Sequence, residues 1–140
     1  MTDLRLIPLS YAGTQTLWPV LAHYLEAALA EGVEGRSMAD IAAQVAAGKM
    51  QIWAAADEDN TIVGAGATEL WNFTERTVSA TILWAWDRPM HEWKPLLERI
   101  EDWAREQGCA SNVILGRKGW KRAIPGYTEA ETLLEKKLVS

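Results

Sequence analysis

The sequence predicts a mixed α/β domain in which three hairpin-linked strands lead into a crossover helix and a fourth strand. Three observations predict it. From Val78 to Trp86 the chain alternates, with Val78, Ala80, Ile82, Trp84 and Trp86 on one side and Thr77, Ser79, Thr81, Leu83 and Ala85 on the other. That is the period of a strand. Trp93, Leu96, Leu97, Ile100, Trp103 and Ala104 then recur at helical spacing, and Gly108 supplies a C-terminal stop, giving a helix over about His91 to Gln107. Between the two, Asp87, Arg88 and Pro89 break the strand, so a buried strand feeds directly into an amphipathic helix. Many α/β proteins bind an anion at such a junction.

The remaining elements follow in order. Leu4 to Leu9 is short and apolar and carries Pro8, which suits a first strand at a sheet edge. Thr14 is the expected cap of a helix whose stripe is Leu17, Leu21, Tyr24, Leu25, Ala28 and Leu29. Pro19 falls near its start, which requires a late start or a bend. Glu31 to Arg36 contains two glycines and reads as a loop. Ser37 caps a second helix, with Asp40 at the capping-box position and Gly48 at the end. A meander follows: Met50 to Ala56, a polar turn over Asp57 to Asn60, Thr61 to Phe73, and then the Val78 strand. Gly64 and Gly66 inside the second of these strands predict a bulge or a close backbone approach. Beyond the crossover helix, Ser111 to Leu115 is a strand and Gly116 to Tyr127 a turn with a helical turn around Trp120. Thr128 to Val139 fits a helix or a strand on periodicity. Three hairpin-linked strands followed by a right-handed crossover give a mixed sheet with helices on both faces.

The 140 residues suit a single domain, 1–140, and 49% hydrophobic residues are enough for a core. Eight tryptophans are expected to dominate that core or an interface. The net charge of −5 argues against a general nucleic-acid binder. A single cysteine, Cys109, excludes an internal disulfide and a cysteine-built metal centre, and the two histidines, His23 and His91, are too few for a histidine-rich one. No metal is therefore expected. The start, MTDLRLIPLS, lacks a signal-peptide pattern, and no apolar run reaches membrane-spanning length, so a soluble, cytoplasmic or particle-bound protein is expected.

Few residues stand out as carriers of chemistry. Glu69 is the one acidic residue inside a predicted core strand, where burial makes a carboxylate a candidate base. Arg88 and His91 lie at the strand-to-helix turn, in reach of an anion. Arg117, Lys118, Lys121 and Arg122 flank Trp120 in an otherwise acidic chain, and this cluster is the candidate contact for a partner. Cys109 opens a strand with no cationic neighbour and reads as an inert thiol.

The element order resembles the GNAT superfamily of N-acetyltransferases, over nearly the whole chain. Val78 to Gly108 is similar to that family's acetyl-CoA-binding segment. GRKGWKRAIPGYTEAETLLEKKL is similar to its closing run, with Gly126 and Tyr127 at the Gly-aromatic step. The resemblance implies that Thr128 to Val139 is a strand, making the order β-α-α-β-β-β-α-β-α-β. More narrowly, IEDWAREQGC with GRKGWKRAIPGY resembles GNAT-like proteins encoded in phage genomes. The family's coenzyme turn, Arg/Gln-x-x-Gly-x-Gly/Ala, places its Arg on Arg88 and its two small residues on His91 and Trp93. Small residues let phosphate reach bare backbone. The family's frequent acid, a tyrosine, is replaced near the closing helix by Trp120, Lys121 and Arg122. These departures lead to the expectation of a non-enzymatic assembly module of a phage particle, with other protein subunits as partners, no bound cofactor and weak affinity for coenzyme A. Trp93 would be buried in the space an active relative leaves for the cofactor. The alternative is an acetyl-CoA-dependent N-acetyltransferase acting on an amine.

Overall fold

The computed structural model describes residues 4–31 and 36–114, without the side chains of Glu31, Met90 and His91. Strand β1 (Arg5–Pro8) leads into helix α1 (Tyr11–Glu31). The cap of α1 is Ser10, not Thr14. The Ser10 hydroxyl accepts from the Gly13 N–H at 3.1 Å, and Thr14 already lies inside the helix with its N–H and its hydroxyl both on the Ser10 carbonyl. Pro19 sits within the helix. Its missing N–H would have served the Gln15 carbonyl, and both residues are exposed, so water can take that place. Helix α2 (Met38–Ala46) begins as expected. The Ser37 hydroxyl accepts from the Asp40 N–H, and the Asp40 carboxylate accepts from the Ser37 N–H at 2.8 Å. Gly48, at φ 72°, takes the left-handed position after its end.

Strands β2 (Met50–Ala56), β3 (Ile62–Asn72) and β4 (Thr77–Trp86) form the meander. Asp57 organises its first turn, with Oδ1 accepting from the N–H groups of Asp59 and Thr61. Asn60 adopts φ 63°, which an Asn tolerates. The sheet order is β1-β2-β3-β4-β5, antiparallel except for the parallel pairing of β4 with β5 (Ser111–Ile114). The crossover is not the single helix the periodicity predicts. It runs as α3 (Met90–Trp93), a 3₁₀ turn (Lys94–Leu96) and α4 (Leu97–Glu106). Pro95 lies inside the 3₁₀ turn and has no N–H for an α-helical bond, which accounts for the break. The far end closes as expected. Gly108 has φ 81°, its N–H bonds the Arg105 carbonyl, and the Cys109 N–H bonds Ala104 at 2.9 Å. The expected closing elements, including the Thr128 to Val139 strand, lie outside the described residues.

The β4 alternation differs from the sequence expectation in one respect. Ala67 pairs with Leu83 and Thr68 with Thr81, so Ile82 is an extra residue in a β-bulge. The bulge reverses the phase. Ala80, Ile82 and Leu83 pack with α1 and α2, whereas Trp84 and Trp86 turn to the opposite face, against α3 and α4. The first core contains Leu21, Leu25, Ile41, Ile52 and Ala67; the second contains Leu6, Trp53, Val63, Trp93, Leu97 and Ile100.

The glycines of β3 make room for the displaced indoles. Gly64 pairs with Trp86 and Gly66 with Trp84. A Cβ on Gly64 would lie 2.8 Å from the Trp86 ring, and one on Gly66 would collide with the Trp84 ring. The close approach expected from the sequence is therefore between strand backbone and tryptophan. Gly66→Ala should lower stability by about 1–3 kcal/mol through overpacking. Urea denaturation measures this, and an unchanged midpoint would show that the indole yields freely.

Candidate functional site

Two places come from the sequence candidates, toward opposite ends of β4. The first is built on β3 and α2. Residues of β3 alternate, so Glu69 and Trp71 share the face that packs on α1 and α2, and the Trp71 indole N–H donates to Glu69 Oε1 at 3.0 Å. Arg36, just before the α2 cap, donates from Nη2 to the same oxygen at 2.9 Å. Asp40 and Gln44, one helical turn apart on α2, complete a cavity of about 300 Å³ with Arg36 and Glu69. The Glu69 side chain is only 13% exposed. Its carboxylate is thus held by two donors and opens onto a polar cavity, in place of the apolar core surroundings the sequence suggested.

The second place is the turn after β4. Asp87 is fixed twice: its N–H bonds the Val63 carbonyl at 2.9 Å, and its Oδ2 accepts from the Tyr24 hydroxyl at 2.5 Å. Burial, then the hydrogen bond to Asp87 and its negative charge, push the Tyr24 hydroxyl up to about 12. Arg88 is ion-paired to Asp57 Oδ2 at 3.3 Å and is one-third exposed, at 33%. Trp93 is 5% exposed. Its ring stacks on Trp86, with centroids 5.8 Å apart and planes 12° from parallel, and lies 5.7 Å from Trp84. The expected burial of Trp93 is met, and its partners are Leu97 and the tryptophans at the end of β4. The indole belongs to the core under α4, not to the outer surface of the turn.

Glu69 pairs with Ala80, seven residues before Asp87 on β4. The two places are therefore about 20–25 Å apart along the strand. The His91 side chain and the cluster of Arg117, Lys118, Trp120, Lys121 and Arg122 lie outside the described residues. Cys109 is half-buried, and burial raises its thiol pKa, which keeps it protonated. Sequence reasoning missed Arg36, Gln44 and Tyr24 as site residues and took Asp40 only for a cap. Two signals were present: Asp40 and Gln44 at i, i+4 on a polar helix face, and Glu69 and Trp71 at i, i+2 on one strand face. Among the described residues no helix is long and apolar enough to cross a membrane.

No family model and no curated protein matches the chain. Solved structures do. An aminoglycoside acetyltransferase from an uncultured soil metagenomic sample, in complex with sisomicin, superposes with a TM-score of 0.71 at 14% identity, over 98% of this chain and 97% of that one. A second soil metagenomic aminoglycoside acetyltransferase gives 0.70 at 19% identity, covering 99% of each chain. A GNAT family acetyltransferase of Staphylococcus aureus gives 0.67 at 14% identity, over 97% of this chain and 99% of that one. Nothing in these likenesses supports the phage resemblance. What they share with this chain is the fold, and the fold is GNAT-like.

Trp93→Ala should cost about 3–5 kcal/mol, the range for losing a large buried aromatic. Denaturant titration reads it; a cost within about 0.5 kcal/mol is what a surface residue would give. The raised Tyr24 value has a sign that can be checked. The folded state holds this proton more tightly than the unfolded chain, so the contribution is fully present below about pH 10 and is lost as pH rises toward about 12. Tyr24→Phe should therefore flatten the loss of stability over that window. An unchanged alkaline limb would show that the hydroxyl is not held by Asp87.

Proposed function

We propose that this protein is an acyl-CoA-dependent N-acyltransferase whose amine substrate enters the cavity beside Glu69. The observation that carries this reading is the Glu69 carboxylate, fixed by Trp71 and Arg36 and lining a cavity between β3 and α2, in a fold whose solved neighbours are acetyltransferases. The assembly-module reading rested on sequence departures at the turn, and the structural neighbours favour acyl transfer over it.

The turn keeps one residue suited to the cofactor. Arg88 keeps a guanidinium at the turn, one-third exposed beside the buried Asp57, and its remaining N–H donors can take an incoming phosphate. Among the described residues, β5 pairs with β4 over Val78 to Thr81, and the outer edge of Ile82 to Trp86 has no described strand beside it. A chain bearing amide groups can bond such an edge. Coenzyme A, when bound, supplies the activated acyl group.

Glu69 accepts the proton of the ammonium substrate, directly or through one water, and so leaves the nitrogen lone pair free for attack. Trp71 and Arg36 hold the carboxylate in place for that transfer. Calorimetry should show micromolar binding of acetyl-CoA, weakened at least tenfold by Arg88→Ala. Weak affinity is what His91 and Trp93 predict from the sequence, and this titration decides between the two. Glu69→Gln should lower kcat by about 10²- to 10⁴-fold and leave acetyl-CoA binding intact. No heat of binding at millimolar acetyl-CoA would return the chain to the non-enzymatic reading.

A further inference from the structure

The geometry points to a zwitterion, a free α-amino acid, as the amine that fills the Arg36–Glu69 cavity. This inference rests on the reading of the cavity as the amine site. Four side chains line the cavity: a guanidinium, an amide and two carboxylates. Their bonding leaves specific capacity open. Both donors to Glu69 go to Oε1, so Oε2 has no recorded partner among the described residues. Asp40 uses Oδ2 on the Ser37 N–H, which leaves Oδ1 able to accept. Arg36 engages Glu69 through Nη2 alone, and its side chain is 36% exposed. A guanidinium has five N–H donors in a planar fork, so a second carboxylate can be taken in bidentate fashion.

The charge pattern discriminates between amines. A ligand ammonium is drawn to Glu69 Oε2 and Asp40, but any cation placed there also faces Arg36. A polycation gains from two carboxylates and loses against the guanidinium. A molecule carrying a carboxylate beside its ammonium satisfies both signs at once. Size agrees: about 300 Å³ is at the small end of ligand cavities and accommodates an amino acid.

The test needs no cofactor. Trp71 donates to Glu69, so its indole N–H resonance, assigned with Trp71→Phe, reports occupancy of the cavity. The standard α-amino acids are titrated one at a time, each beside its methyl ester, with sisomicin as a further probe. At least one amino acid should shift the resonance saturably, and its methyl ester should bind at least tenfold more weakly. Arg36→Gln should abolish that acid-over-ester preference, and Glu69→Gln should weaken acid and ester alike. Esters or sisomicin binding as tightly as the acids would overturn the inference, as would no shift with any amino acid. Amino-acid binding without acetyl-CoA binding would uphold this inference and defeat the transfer reading. Acetyl transfer to sisomicin, with no amino acid bound, would do the reverse.

Discussion

The pairing of two glycines on β3 with two tryptophans on β4 is the constraint from which the rest of the architecture follows. Gly64 and Gly66 leave the sheet surface bare where the Trp86 and Trp84 rings lie. The Ile82 bulge turns those rings to the α4 face, and Trp93 stacks on them, so the crossover must return over that face. Each ring contributes up to about 4–6 kcal/mol from its buried area. The Trp84 and Trp86 indole N–H groups are buried without partners among the described residues, at a cost of about 1–3 kcal/mol each. The burial term wins, and the aromatic cluster is a net stabiliser of the β4–α3 junction.

The same bulge divides the labour between the faces. The aromatic face anchors the turn that carries Arg88, while the opposite face keeps small residues such as Ala65, Ala67 and Ala80 against α1 and α2. Toward the Glu69 end that second face becomes polar, where the capped start of α2 brings Arg36 and Asp40 to β3. Strand β4 connects the two: its first half pairs with β5 and borders Glu69 through Ala80, and its second half leads to Asp87. The Tyr24–Asp87 bond ties α1 to this second half, so the helix that covers one face also fixes the turn.

Much of the fold was legible because its local signals are strong. The Ser37–Asp40 capping box, Gly48, Gly108 and the period-2 strands each report a backbone requirement that few other residues satisfy. The failures have equally local causes. Thr14 looked like a cap because a hydroxyl one turn into a helix has the same composition signal as one before it; Ser10 does the capping. Strict alternation cannot register one inserted residue, so the Ile82 bulge left Trp84 and Trp86 assigned to the wrong face. The helical stripe from Trp93 survives the 3₁₀ turn at Pro95, which hid the break. Of the candidate site, Glu69 was visible as a lone acid in a core strand. Arg36 was not, because its meeting with Glu69 depends on how α2 docks on the sheet, a tertiary contact that no sequence spacing encodes.

Amide chemical-shift mapping with acetyl-CoA tests the central claim most directly, since the account places the cofactor along the outer edge of β4 and the amine beside Glu69 on a face the aromatic cluster does not share. The expected result is saturable shifts confined to Ile82–Trp86 and the Asp87–Arg88 turn, with the α1 amides facing solvent unmoved. Shifts absent at millimolar ligand, or spread instead over the exposed face of α1 around Tyr11 and Val20, would contradict the account.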